Sequence, residues 1–144
     1  MIHRFGLIFF QGIKMPPDFR KLVVWQKAIE LTLLIYKLTL TFPKEEVYGL
    51  TSQMRRASVS IASNIAEGRG RLNPGEFRQF LGIAQGSMYE LQTQLLVARQ
   101  LGLCEGGHLE ETESLCDSVS RMLNSLIETI ATSEKRRKSL ARSQ

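Results

Sequence analysis

The sequence predicts an all-α chain folded as an antiparallel, up-down four-helix bundle. Three observations carry that expectation. Apolar residues recur at three- and four-residue steps in four separate windows. The windows are joined by short segments punctuated by proline and glycine. No stretch alternates apolar and polar residues as a half-buried strand would.

The first helix is expected from about Val24 to Leu40. Trp25, Ala28, Ile29, Leu31, Leu34, Ile35 and Leu38 give it one broad apolar face. Pro43 ends it, because proline disfavours a helical residue before it and has no N–H to donate. The connection PKEEVYGL closes at Gly49. The second helix is expected from about Thr51, read as its N-cap, to Glu67, with Gly68 and Gly70 stopping it. Met54, Ala57, Val59, Ile61, Ala62, Ile65 and Ala66 cover more than half its circumference. Gln53, Arg56, Ser60, Asn64 and Glu67 follow at steps of three, four, four and three, so they share one polar stripe. The short side chains in that stripe predict a packed, hydrogen-bonded surface rather than a wet one.

The third helix has the clearest start. Asn73 is its N-cap, Pro74 its first residue, and Glu76 completes a capping box. Phe77, Leu81, Ala84, Met88, Leu91, Leu95 and Ala98 alternate by four and three, a seam for packing on another helix. Gly82 and Gly86 lie mid-helix, where each costs about 1 kcal/mol relative to alanine. That cost predicts close approach of a neighbouring backbone. Arg78, Gly82, Gly86 and Glu90 share this face, and Gly102 stops the helix. The fourth helix is expected from about Leu109 to Ala131, with a seam of Thr112, Leu115, Val119, Met122, Leu126 and Ile130. Glu110, Glu111 and Glu113 suit its positive N-terminal end, and Cys116 is expected in the core.

A chain of 144 residues is long enough for one domain with a sizeable core. The organisation reads as an N-terminal extension over 1–17, the bundle over 18–133 and a basic tail over 134–144. The formal net charge is +5; residues 134–144 contribute +4 of it and leave +1 for residues 1–133. The basic character is therefore a tail property, suited to a phosphate backbone or to simple solvation. The opening MIHRFGLIFFQGIK has too short an apolar run for a membrane span and lacks a small-residue cleavage site. Met15, directly before PPDFRKL, is read as the natural start. The alternative is an apolar segment that packs on the bundle or on a neighbouring chain.

Few residues offer chemistry. Two cysteines, Cys104 and Cys116, make no disulfide framework and fit a reducing cytoplasm. Cys104, His108 and Cys116 match no zinc spacing and lack a fourth ligand, so no metal or cofactor is expected. The segment SNIAEGRG, Ser63 to Gly70, sets an amide, a carboxylate and guanidiniums close together. Catalysis there would need paired carboxylates, an activated nucleophile or metal ligands, and neither His3 nor His108 is near. No enzyme is expected. Arg69 and Arg71, at a helix-ending turn, are candidate phosphate contacts together with Lys135, Arg136, Arg137 and Lys138. Arg56, Ser60, Asn64, Glu67, Gly82, Gly86, Ser87 and Glu90 are read as structural or interface residues. Arg56 is expected to form a buried pair with Glu90, or failing that with Glu67.

Three segments carry a family resemblance. DFRKLVVWQKAIELTLLIYKLTLTFPKEE, LTSQMRRASVSIASNIAEGRGR and EFRQFLGIAQGSMYELQTQLLVA resemble the four-helix-bundle proteins encoded by intervening sequences in bacterial 23S rRNA genes. The match covers about Asp18 to Leu103. Its most specific parts are SNIAEG and the pattern Phe80-Leu81, Ile83-Ala84, Gly86-Ser87 and Glu90. The resemblance implies a cytoplasmic bundle that assembles as a ring-like homopentamer with no known enzymatic activity. A group similar in fold, the accessory variability determinant of diversity-generating retroelements, partners a reverse transcriptase and its RNA.

Two functional classes follow. One is a homo-oligomeric scaffold that binds structured RNA or DNA through its basic residues. The other is a protein-interaction module, such as an accessory subunit of a reverse transcriptase.

Overall fold

A computed structural model describes residues 18–143. The expectations for residues 1–17, including a start at Met15, lie outside them. Four helices follow in order: α1 Val23–Thr39, α2 Leu50–Arg69, α3 Pro74–Gln100 and α4 Gly107–Arg142. Single 3-10 turns at Phe19–Lys21 and Lys44–Glu46 precede α1 and α2. Each helix packs on its neighbours in sequence, α4 closes on α1, and α2 with α3 forms the most extensive pair. The result is an all-α, up-down antiparallel bundle, as the periodicity predicts.

The core follows the apolar stripes. Ala28, Leu31 and Ile35 of α1 meet Met54, Ile61 and Ile65 of α2, all fully buried. The expected α3 seam from Phe77 to Ala98 is buried throughout. On α4 the innermost positions are Leu109, Thr112, Cys116, Val119 and Leu123. Leu115, Met122, Leu126 and Ile130 are only partly buried against the core. The buried stripe is thus turned slightly from the expected seam, and Cys116 lies at its centre.

The helix ends show how local chemistry sets the boundaries. Asn73 Oδ1 accepts from Glu76 N at 2.8 Å, and Asn73 Nδ2 donates to Glu76 Oε2 at 2.7 Å, so the predicted cap of α3 forms. At the other end, Gly102 N donates to Arg99 O and Leu103 N to Ala98 O, both at 3.0 Å. Gly102 has φ +69°, and this is a Schellman motif that a left-handed glycine makes possible.

Three boundaries differ from expectation. Thr51 is not the N-cap of α2. The helix starts at Leu50, whose N–H is taken by Glu46 Oε2 at 3.1 Å from the preceding turn. Gly68 does not stop α2 as expected, since the helix runs through it to Arg69; Gly70 is the C-cap, as expected. Gly68 serves packing instead: a Cβ there would lie 2.6 Å from Phe80 Cβ and 3.0 Å from Phe77 Cδ2. Finally, α4 does not end near Ala131 but continues to Arg142, so the basic tail is helical.

Candidate nucleic-acid interface

The continuation of α4 is held by one residue. Glu134 is half-buried, and its Oε2 pairs with Arg78 Nε of α3 at 3.0 Å. Its Oε1 lies 3.1 Å from the place a Cβ would occupy on Gly75. Glu134 thereby sits level with the first turns of α3. From there to Arg142 the helix travels about 12 Å, at roughly 1.5 Å per residue. Lys135, Arg136, Arg137, Lys138 and Arg142 are all exposed on this stretch, and none forms an ion pair among the described residues. Lysine and arginine are good helix formers, and cations suit the negative C-terminal end of a helix. The sequence therefore extends α4 as a cationic spur rather than a disordered tail.

The antiparallel topology brings the α2–α3 turn to the same end. Arg71 is exposed there; its Nη2 pairs with Glu67 Oε1 at 3.0 Å and its guanidinium lies 4.6 Å from the Phe80 ring centroid. Arg69 is half-buried, with its guanidinium 5.7 Å from the Phe77 ring centroid and its Nε without a hydrogen-bond partner. Both arginines are more constrained than a flexible turn would leave them. Arg71 keeps an exposed outer edge, whereas Arg69 is chiefly packed against the start of α3.

The polar stripe of α2 divides in two. Ser60 Oγ and Ser87 Oγ hydrogen-bond across the α2–α3 interface at 2.9 Å. Asn64 Nδ2 donates to Ser60 O at 2.8 Å and to Ser60 Oγ at 3.0 Å. These three are half-buried and bonded, as the short side chains predict. Gln53, Arg56 and Glu67 are exposed.

The expected buried pair of Arg56 does not form with either carboxylate. Glu90 accepts from Gln94 Nε2 at 3.1 Å, and Glu67 is taken by Arg71. Each carboxylate is satisfied four positions further along the chain, so neither reaches Arg56, and an exposed guanidinium needs no partner. Gly82 and Gly86 also depart from expectation within the chain. Both are exposed, and a Cβ on either would meet nothing within 4 Å. They lie on the α3 face turned away from the bundle, so the close helix contact falls at Gly68 instead.

Several contributing residues were not singled out by the sequence. Glu134 carries a legible signal, since it extends the four-residue step of Leu126 and Ile130 onto the inner face of α4. Gln85 is buried between α3 and α4, where its Nε2 reaches Asn124 Oδ1 at 2.8 Å and Ser120 Oγ at 3.1 Å. Arg55 stacks on Tyr36 with 4.5 Å to the ring centroid, and its Nε donates to Thr39 Oγ1 at 2.9 Å. Neither contact has a sequence signature, because each depends on how two helices are rotated against each other.

Metal and nucleophile chemistry find little here. Among the described residues no group of three or more histidine, cysteine or acidic side chains is placed to hold a metal ion. Burial pushes the Cys116 thiol up to about 12 and also raises Cys104, so both stay protonated and poorly nucleophilic near neutral pH. No helix among the described residues is long and apolar enough to cross a membrane.

Comparison with known proteins extends the picture. Residues 20–125 match the family model described as 23S rRNA-intervening sequence protein. That span takes in much of α4, beyond the segments that carry the resemblance in sequence. A crystal structure of a protein with unknown function from the S23 ribosomal protein family of Bacteroides thetaiotaomicron aligns with a TM-score of 0.66 at 22% identity. The alignment covers 73% of this chain and 98% of that one, and at this identity it speaks for the fold alone. A search of curated proteins found no match.

Proposed function

The chain belongs to the 23S rRNA-intervening sequence protein family, and from that premise we propose a non-enzymatic, homo-oligomeric bundle that binds structured RNA or DNA through its cationic end. One observation carries the reading. The five cations after Glu134 stand on a helix that projects from the bundle at the same end as Arg71, without an ion pair among the described residues. Contacts of this kind go to the phosphate backbone and release counterions, so they fix no sequence. The near-neutral body keeps the affinity of one copy modest.

Assembly compensates for that weakness. Leu33 of α1 is 58% exposed. On α3, Ile83 is exposed beside Gly82 and Gly86, and Val97 is exposed about three turns further along the same side. An apolar face lined with glycine suits close approach of a helix from a second copy. A ring, a pentamer by the family resemblance, would present five spurs, and weak contacts then add by avidity where the geometry lets them engage together. The alternative role, as an accessory subunit of a reverse transcriptase, uses the same cationic end with that enzyme's RNA as ligand. A cytoplasmic setting suits either role.

The test deletes residues 135–144, which leaves the Glu134–Arg78 pair in place. Structured rRNA fragments and unrelated RNA are then titrated against both proteins. The proposal expects the truncated chain to lose affinity for both RNAs alike. Undiminished binding would remove the spur from the interface.

A further inference from the structure

At the opposite end of the bundle, the C-terminal half of α1, the start of α2 and the middle of α3 enclose an open groove of about 1050 Å³. Three cations line it, Lys44, Arg55 and Arg56, against one carboxylate, Glu90. Arg55 is fixed before any ligand arrives. Its Nε is engaged by Thr39 Oγ1 at 2.9 Å and its plane rests on Tyr36, which leaves its two terminal amino groups without a partner among the described residues. Arg56 forms neither a hydrogen bond nor an ion pair among them. A planar guanidinium held in this way is organised for an oxyanion such as phosphate.

An independent observation concerns Thr51, which also lines the groove in the first turn of α2. The residue is only 6% exposed, yet its Oγ1 has no hydrogen-bond partner. An orphaned buried hydroxyl leaves its desolvation uncompensated. A ligand oxygen in the groove would relieve that cost. Of the first-turn N–H groups of α2, those of Leu50 and Gln53 are taken by Glu46 Oε2 and Gly49 O, which leaves those of Thr51 and Ser52 without an intrahelical acceptor. The groove is also far larger than a bare phosphate, and its walls include the exposed apolar side chains Leu40 and Val47.

From the two guanidiniums that line the groove, the unpartnered Thr51 hydroxyl and the apolar walls, we infer that this groove binds a nucleotide, with its phosphate at Arg55 and Arg56 and its base against Leu40 and Val47. The site is separate from the cationic spur and does not depend on the role proposed for it. The same chemistry is offered by a free nucleotide and by one unit of a single-stranded RNA.

Calorimetric titration of the full chain with adenosine 5′-monophosphate, and with a mixed-sequence RNA hexanucleotide, separates these sources. A tighter response to the monophosphate assigns the groove to free nucleotides, and a tighter response to the hexanucleotide assigns it to a strand. Arg55→Gln and Arg56→Gln should each weaken the favoured ligand by about tenfold or more, the loss of a charge-assisted hydrogen bond. Arg56 is exposed, so its variant folds even where loss of the Arg55 stack disturbs α1. Thr51→Val should weaken the same ligand without lowering the melting temperature of the unliganded protein. A chain with Lys135, Arg136, Arg137 and Lys138 all changed to Gln should bind the monophosphate unchanged. Failure of both ligands to bind would overturn the inference. So would equal affinity in Arg56→Gln, or loss of binding only when the spur is neutralised.

Discussion

Ser60 on α2 and Ser87 on α3 share a 2.9 Å hydroxyl–hydroxyl hydrogen bond, and Asn64 donates to the same Ser60 oxygen from one turn away. This small network ties together the two helices with the most extensive packing. Because Asn64 keeps Ser60 partnered, Ser87→Ala removes one hydrogen bond without stranding its mate. It should therefore cost about 1 kcal/mol in urea unfolding. Ser60→Ala should cost more, since it also strips a bond from the Asn64 amide. A double-mutant cycle that shows no coupling between the two serines would contradict the network.

The glycines should behave in opposite ways. Gly68→Ala would place a Cβ 2.6 Å from Phe80 Cβ, and it should destabilise the fold by about 1–3 kcal/mol. Gly82→Ala and Gly86→Ala meet nothing inside one chain and so cannot harm the isolated bundle. They should instead disturb the contact between copies, and light scattering should report a smaller species. An unchanged mass with a higher melting temperature would mean that this face carries no partner.

Glu134 should act as the anchor of the spur. Its pair with Arg78 is partly solvated, so Glu134→Gln should cost only about 1 kcal/mol of global stability. The local effect should be larger: amide hydrogen exchange after residue 134 should accelerate, while exchange in α1 and α2 stays as it was. Uniform acceleration across the bundle would contradict a purely local role.

The cysteines should resist chemistry. Cys116 is 1% exposed and burial holds its thiol up at about 12, so at pH 8 iodoacetamide should alkylate it only through unfolding. The sign of the linked pH effect follows. The unfolded thiol ionises near its ordinary value of 9.0, while the folded one keeps its proton. The stability this group confers is present below about 9 and declines as pH rises towards 12. Cys116→Ala should therefore lose less melting temperature between pH 8 and pH 10.5 than the parent chain. An equal loss would show that other groups govern the alkaline limb.

The contrast between α3 and α2 shows what a sequence makes legible. The Asn73 cap and the Phe77-to-Ala98 seam are local signals: each is written within one turn, or repeats at a fixed step, and the fold realises both. The role of a glycine is not local. Gly68, Gly82 and Gly86 are alike in sequence, and only the rotation of α3 against α2 decides that Gly68 meets Phe80 while the others face outward. Arg55 and Arg56 illustrate the same point. Neighbours on a helix point about 100° apart, a consequence of 3.6 residues per turn, so one stacks on Tyr36 while the other is exposed. For the candidate interface, composition locates the cations at the C-terminus. The anchor at Glu134 is what turns them from a loose end into a helix aimed past the bundle.

The central claim is that nucleic acid meets the cationic spur of α4 through its phosphates. The most direct measurement is the salt dependence of binding to a structured 23S rRNA fragment, for the parent chain and for the variant with Lys135, Arg136, Arg137 and Lys138 changed to Gln. The account predicts a steep fall in affinity with salt for the parent, and a distinctly shallower slope for the variant because fewer counterions are released. Equal slopes and equal affinities for the two proteins would contradict it.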